Sequence, residues 1–432
     1  MGATSDAVAI RELEARLHRP DRGELGYQDG KEARTRLEAL ARLREFAEEG
    51  KVERTGPPGG VNTHVHTAKS FGYFDSPSDA VWHAYLARLA IFGINDHHTM
   101  AGHEEFGKAC RIVGIRAAFS MEVIAMWHEA ARAGRTVNDP SNPGRTYLSA
   151  KGTTRPFAPD SPGARNLARM CAAQLERTKE IARKVADVVA RRLGADGAIQ
   201  WEDVVALAPH GQPTERHVAL VVARHLETAY PDPSDRRKAL SRLAGRDVPD
   251  EVLQDSATFQ DTIRASLIKA GKPAYVEESE DAFIPVEEAV SMALELGAIP
   301  AYPVLGDPVT PWEEDLEVLF DRLEALRIYA IEVIPNRNRR ERLLEIVTKA
   351  VSRGFPIFTG TEHNTKVPLP LVDKFFFDPE FRPHFELGAR VLLGHQSLRK
   401  AGEPGFVNED GTLPPGDRAE HLRRVAEAFR RR

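Results

Sequence analysis

His64 and His66 stand one residue apart in the segment Asn62-Thr63-His64-Val65-His66-Thr67. Alternate side chains of an extended chain point the same way, so this pair can present two imidazoles to one metal ion. One such pair among 15 histidines is a modest signal alone. The next thirty residues strengthen it with Asp75, a helix-like run, and then Gly93-Ile94-Asn95-Asp96-His97-His98-Thr99. Other ligand-capable groups fall where strands should end. Glu122 lies in the strand after Gly114, Tyr302 ends the run 298–302, Asn336 and Arg337 follow Ile334, and Glu362-His363-Asn364 follow Phe358-Thr359-Gly360. A single histidine at a strand end is commonly structural. Several strands all ending in metal- or phosphate-capable groups point instead to metal-assisted chemistry at a barrel mouth, where the loops after parallel strands converge.

Positioning these groups requires strands that alternate with helices. Residues 1–60 read as a helical N-terminal extension: Leu37, Leu40, Leu43 and Phe46 repeat at helical spacing before Pro57-Pro58-Gly59-Gly60 breaks the pattern. Residues 61–125 give a strand through His64, a helix over 79–92, a short strand at 93–95, a helix over 102–113 and a strand over 115–123. The rhythm resumes over 286–400 with helices at 286–296, 313–326 and 340–353 and strands at 298–302, 329–334 and 355–359. This is the pattern of an α/β chain built from βα units. Residues 126–285 differ: Pro and Gly cluster at 138–163, a long helix covers 164–194, and shorter helices come after it. They read as a mostly helical insertion covering the site, and residues 401–432 as a C-terminal helical tail.

At 432 residues the chain can bury a large core. Its net charge of −5 gives no electrostatic case for binding nucleic acid, and no stretch approaches the roughly 18 apolar residues of a membrane span. Two cysteines are too few for a disulfide framework or a thiolate metal cage, and fit a reducing cytoplasm. The partner expected is a small-molecule substrate; the oligomeric state is unknown at this level.

The motifs resemble those of the polymerase and histidinol phosphatase (PHP) family of metal-dependent phosphoesterases, from about residue 62 to 365. Asn62-Thr63-His64-Val65-His66-Thr67 is similar to the family's first motif, Asp75 to the aspartate that comes after it, Ile94-Asn95-Asp96-His97-His98-Thr99 to the second motif, and Ser120-Met121-Glu122-Val123 to the third, whose glutamate bridges two metals. Ile199-Gln200-Trp201-Glu202-Asp203-Val204, Thr214-Glu215-Arg216-His217-Val218-Ala219 and Lys272-Pro273-Ala274-Tyr275-Val276 resemble segments of the family's nucleotide-phosphatase branch. The resemblance implies a distorted (β/α)7-type barrel. The chain departs from the family where Ala301-Tyr302-Pro303 replaces Ala-His-Pro, where Tyr147 stands near a second missing histidine, and where Gly360-Thr361-Glu362-His363-Asn364 replaces Gly-Ser-Asp-x-His.

The resemblance implies one or two divalent ions (Mn, Zn or Fe). His64, His66, Glu122 and Glu362 would hold the first; Asp75, His97 and either His363 or Asn364 would hold the second. Asp96 would support His97. A tyrosine binds a metal only when deprotonated, so Tyr302 is expected to face the site and touch substrate rather than an ion, or else to turn into the core against Pro303 and the helix over 286–296. His98 or His363 would serve as the general acid. Arg337 and Arg339 could clamp a phosphate, or could simply begin a basic helix. Arg216 and His217 could reach substrate from the insertion, or sit on a helix surface; Lys69 could touch an anion, or face solvent. The leading expectation is hydrolysis of a small phosphate monoester through a metal-activated water. Hydrolysis or isomerisation of a non-phosphorylated sugar-like or lactone compound, and a non-catalytic metal-binding PHP domain, remain as alternatives.

Overall fold

The computed structural model describes residues 2–18, 31–208 and 212–430, so residues 19–30 of the N-terminal extension lie outside it. Among the described residues there are eight strands: β1 (Gly60–Val65), β2 (Leu89–His97), β3 (Arg116–Met126), β4 (Arg145–Lys151), β5 (Ile284–Pro285), β6 (Ile299–Val304), β7 (Ala330–Val333) and β8 (Ile357–Thr359). Their hydrogen-bonded order is β1-β2-β3-β4-β6-β7-β8, with β5 paired to β3. The sheet curls back on itself. A parallel bridge joins Val65 to Glu362, and the Thr63 hydroxyl donates to the Thr359 carbonyl at 2.9 Å. Gly360 permits this closure, because a Cβ there would lie 2.2 Å from that of His64. The result is a nearly closed, mixed barrel.

The barrel departs from pure βα repetition at β4, which runs antiparallel to both β3 and β6. Residues 126–285 are therefore not wholly an insertion, since β4 and β5 complete the barrel wall. The sequence of β4 reads as loop because its alternate residues Tyr147, Ser149 and Lys151 are polar. They face the barrel interior, while Leu148 and Ala150 fill the apolar core outside. The helix expected over 79–92 is shorter: Pro77–Leu86 ends in a turn with Arg88 at φ 58°, and the apolar residues beyond it belong to β2.

The insertion proper begins at the helix Pro162–Leu193, capped by the Ser161 side chain and closed by Gly194 at φ 68°. Its buried face packs against the helices Glu215–Ala229, Pro233–Ala244 and Ser256–Leu267 in a core separate from that of the barrel. The N-terminal helices Gly2–Leu17 and Lys31–Glu48 join the wall around β1 and β2 in a third core. Buried Arg36 ties the second of them down by donating to both carboxylate oxygens of Glu105, at 2.9 and 2.7 Å. Among the described residues no helix is long and apolar enough to cross a membrane.

Candidate metal centre

Every residue of β1 is buried. His64 and His66 stand at its carboxyl end with their Nε2 atoms 3.0 Å apart. The other nitrogen of each ring is anchored. His64 Nδ1 lies 3.0 Å from Glu332 Oε2, and His66 Nδ1 lies 3.3 Å from the Ser70 hydroxyl, which donates to Asp96 at 2.7 Å. Asp96 also accepts from the Thr67 backbone and hydroxyl, so it braces the turn behind the pair. Two imidazole nitrogens bound at about 2.1 Å and roughly at right angles on one ion would be about 3.0 Å apart, which matches this separation.

Glu122, on β3, completes the donor set. Its register partner on β2 is His97, and Glu122 Oε2 lies 3.1 Å from His97 Nδ1 and 3.7 Å from His66 Nε2. His97 Nδ1 is buried and makes no hydrogen bond. Burial, and then repulsion from neighbouring imidazoles and cations, hold the pKa values of His66 and His97 well below the usual histidine range, keeping them in the neutral form that ligation requires. Burial, then the nearby Glu362 and Glu332 carboxylates, push Glu122 well above the usual carboxylate range. A divalent cation would relieve that penalty. Among the described residues, His64, His66 and Glu122 form one of two groups whose donor atoms lie close enough to share an ion.

Two functional neighbours are not evident from sequence. Glu332 on β7 and Lys151 on β4 are fully buried and paired, and Lys151 also donates to the Thr63 carbonyl at 3.1 Å. Ser149 donates to the second Glu332 oxygen at 3.1 Å. The one signal for them is a glutamate inside the apolar run Ala330-Ile331-Glu332-Val333-Ile334, because a charge buried in a strand must find a partner.

Above this floor lie two overlapping cavities of about 540 Å³ each, both walled by His97, Arg145, Tyr147, Arg216 and Asn364. The barrel side contributes Glu122, Arg337 and Glu362. Arg337 pairs with Glu362 at 2.7 Å, and Asn364 donates to the same carboxylate at 3.1 Å. The insertion brings Arg177, Arg216, Arg264 and Lys269 over the site. Glu215 accepts from Arg264 and Lys269, and Glu278 pairs with Arg145. Arg216 is held only loosely, 3.6 Å from Asp261, and burial lowers its pKa to about 10.

The fold is similar to that of a Bifidobacterium adolescentis protein designated a metal-dependent phosphoesterase, at 20% identity and a TM-score of 0.50, covering 76% of this chain and 96% of that one. A Chromobacterium violaceum amidohydrolase with bound sulfate and no metal aligns at 18% identity and a TM-score of 0.46, over 75% of this chain and 97% of that one. No family model and no curated protein matches the sequence. At this identity the first likeness shows a shared barrel-like fold.

The remaining expected site residues are placed elsewhere. Asp75 is half-exposed on a separate cluster, 3.2 Å from His18 and 3.0 Å from Lys366, and is not brought to His97. The Tyr302 hydroxyl donates to Glu313 at 3.0 Å inside the core, so Tyr302 does not face the ions' position. His363 turns outward: consecutive positive φ values at Glu362 and His363 send the first side chain inward and the second onto Phe74. Its nitrogens meet the Thr361 hydroxyl and the Leu369 carbonyl, leaving none for an ion or a substrate. His98 lines the first cavity, yet its Nε2 accepts the Ile124 N–H. His217 accepts from the Thr214 backbone and closes the cap of its helix, with burial lowering its pKa to about 3. Arg339 is exposed and pairs with Asp307, and Lys69 is buried without lining either cavity.

Proposed function

We propose that this protein is a metal-dependent hydrolase of small phosphate monoesters, of the PHP type that its motifs resemble. The observation carrying this reading is the juxtaposition of the His64–His66–Glu122 donor set with Arg216, a partly buried and loosely paired guanidinium that lines the same cavity as Glu122. When bound, a divalent ion supplies Lewis acidity toward a phosphoryl group and toward water. The chain's own residues do the rest. Arg216 would hold phosphoryl oxygens through charge-assisted hydrogen bonds. Burial raises the Tyr147 pKa above its usual value, so its hydroxyl stays protonated and can donate to the substrate. Helices of the insertion would keep bulk water from the reacting atoms. Two free cysteines fit a cytoplasmic setting.

A second reading, hydrolysis of an uncharged sugar-like or lactone compound, draws support from one observation: Arg264, Lys269 and Arg145 already have carboxylate partners in Glu215 and Glu278. A screen of phosphomonoesters and lactones with Mn2+- or Zn2+-loaded protein separates the two. Metal-dependent phosphate release is expected; hydrolysis of lactones with no phosphate release would overturn the first reading.

A further inference from the structure

We propose that this centre takes a single divalent ion, because the protein cations Lys151 and Arg337 already pair with the carboxylates that further ions would need. The inference rests on the metal-centre reading and concerns how many ions that centre accepts.

Three carboxylates reach the interior of the barrel mouth: Glu122, Glu332 and Glu362. Both oxygens of Glu332 are engaged, one by the Lys151 ammonium and the other by the Ser149 hydroxyl and the His64 imidazole. Lys151 cannot swing aside, because it also donates to the Thr63 carbonyl of β1 and is enclosed completely. An ion displacing it would strand a buried ammonium with no counter-charge. One oxygen of Glu362, Oε2, is held by Arg337 at 2.7 Å and by Asn364 at 3.1 Å. Glu122 differs from both, since its close contacts are imidazole nitrogens, 3.1 and 3.7 Å away. With the imidazoles neutral, these three carboxylates and two protein cations leave one net negative charge among themselves, before Arg216 on the cavity wall is counted. One divalent ion reverses that charge modestly; a second would build a large positive excess in a low-dielectric site.

Lys151 is thus a positioning residue. It holds Glu332 on His64 Nδ1, which turns His64 Nε2 toward His66, so that the two imidazoles could hold an ion together.

The test is the number of ions bound by metal-free full-length protein loaded with excess Mn2+, counted by elemental analysis after gel filtration and checked by electron paramagnetic resonance. One ion per chain, with the spectrum of an isolated Mn2+, is expected. Lys151→Met should acquire a second equivalent, because Glu332 loses its cation. Arg337 is half-exposed, so Arg337→Ala should fold even if the Lys151 variant does not, and should also gain an equivalent at Glu362. Two coupled ions in the wild-type protein, or a count of one retained by Arg337→Ala, would overturn the proposal. A wild-type protein that binds no Mn2+ would instead refute the metal-centre reading itself.

Discussion

Tyr302 and Glu332 stand on neighbouring strands but on opposite faces of the barrel wall. Tyr302 pairs in register with Ile331, and Pro303 pairs with Glu332. Side chains alternate along a strand, so Glu332 points inward to His64 and Lys151 while Tyr302 points outward to Glu313 and Trp127. The inward face of these strands carries the chemistry, and the outward face carries the packing.

Tyr302→Phe should therefore behave as a core change. Glu313 loses one of its donors but keeps those of Leu305 and Thr310. Thermal or urea unfolding should show a loss of about 1–3 kcal/mol, with metal content unchanged. Loss of metal on this substitution would return Tyr302 to the site.

Glu313 also predicts a pH dependence. Burial raises its pKa to about 8 from an ordinary value near 4.5. A carboxyl raised in the folded state binds its proton there after the unfolded chain has released it. Its contribution is therefore full below pH about 4.5 and declines as pH rises toward 8, by up to about 1.4 kcal/mol per pH unit. Urea titrations at pH 6 and pH 8 should show a smaller drop for Glu313→Gln than for wild type. Equal drops would mean that Glu313 ionises normally.

Arg36 makes the N-terminal helices part of the barrel's stability. Arg36→Met leaves Glu105 buried, with the Ser78 backbone and hydroxyl as donors that remain. A loss of about 3–5 kcal/mol is expected, read by urea unfolding. A change below about 1 kcal/mol would show the extension to be dispensable.

The parts of this design that are legible in the sequence are those where pattern and chemistry agree. β1, β2 and β3 combine apolar strands with polar ends, so His64, His66, His97 and Glu122 can be placed together from spacing. β4 is hidden because its inward residues Tyr147, Ser149 and Lys151 break the apolar alternation that marks a strand. Lys151 and Glu332 are hidden for a related reason: each is intelligible only through its partner, 181 residues away. Tyr302 misleads because a motif position fixes a residue's place in a strand but not the face it occupies. The separation of Asp75 from His97 depends on a local turn and on pairing with His18 and Lys366, which spacing does not encode.

Arg216→Met tests the substrate side of the account. Removing a loosely paired guanidinium from the cavity should raise KM for a phosphomonoester about 10- to 100-fold, the equivalent of a lost charge-assisted hydrogen bond. Metal content should not change. An unaltered KM would remove Arg216 from substrate binding and favour the uncharged substrate.

The most direct measurement is the metal content of wild-type and Glu122→Gln protein, purified identically and loaded with Mn2+ or Zn2+. Glu122 is the one carboxylate in the His64–His66 donor group, and amide nitrogen and oxygen replace its charge poorly toward a divalent ion. The wild-type protein should retain metal through gel filtration, and Glu122→Gln should lose most of it while its unfolding transition stays cooperative. Retention of metal at the wild-type level by a folded Glu122→Gln protein would contradict the placement of the ion at His64, His66 and Glu122.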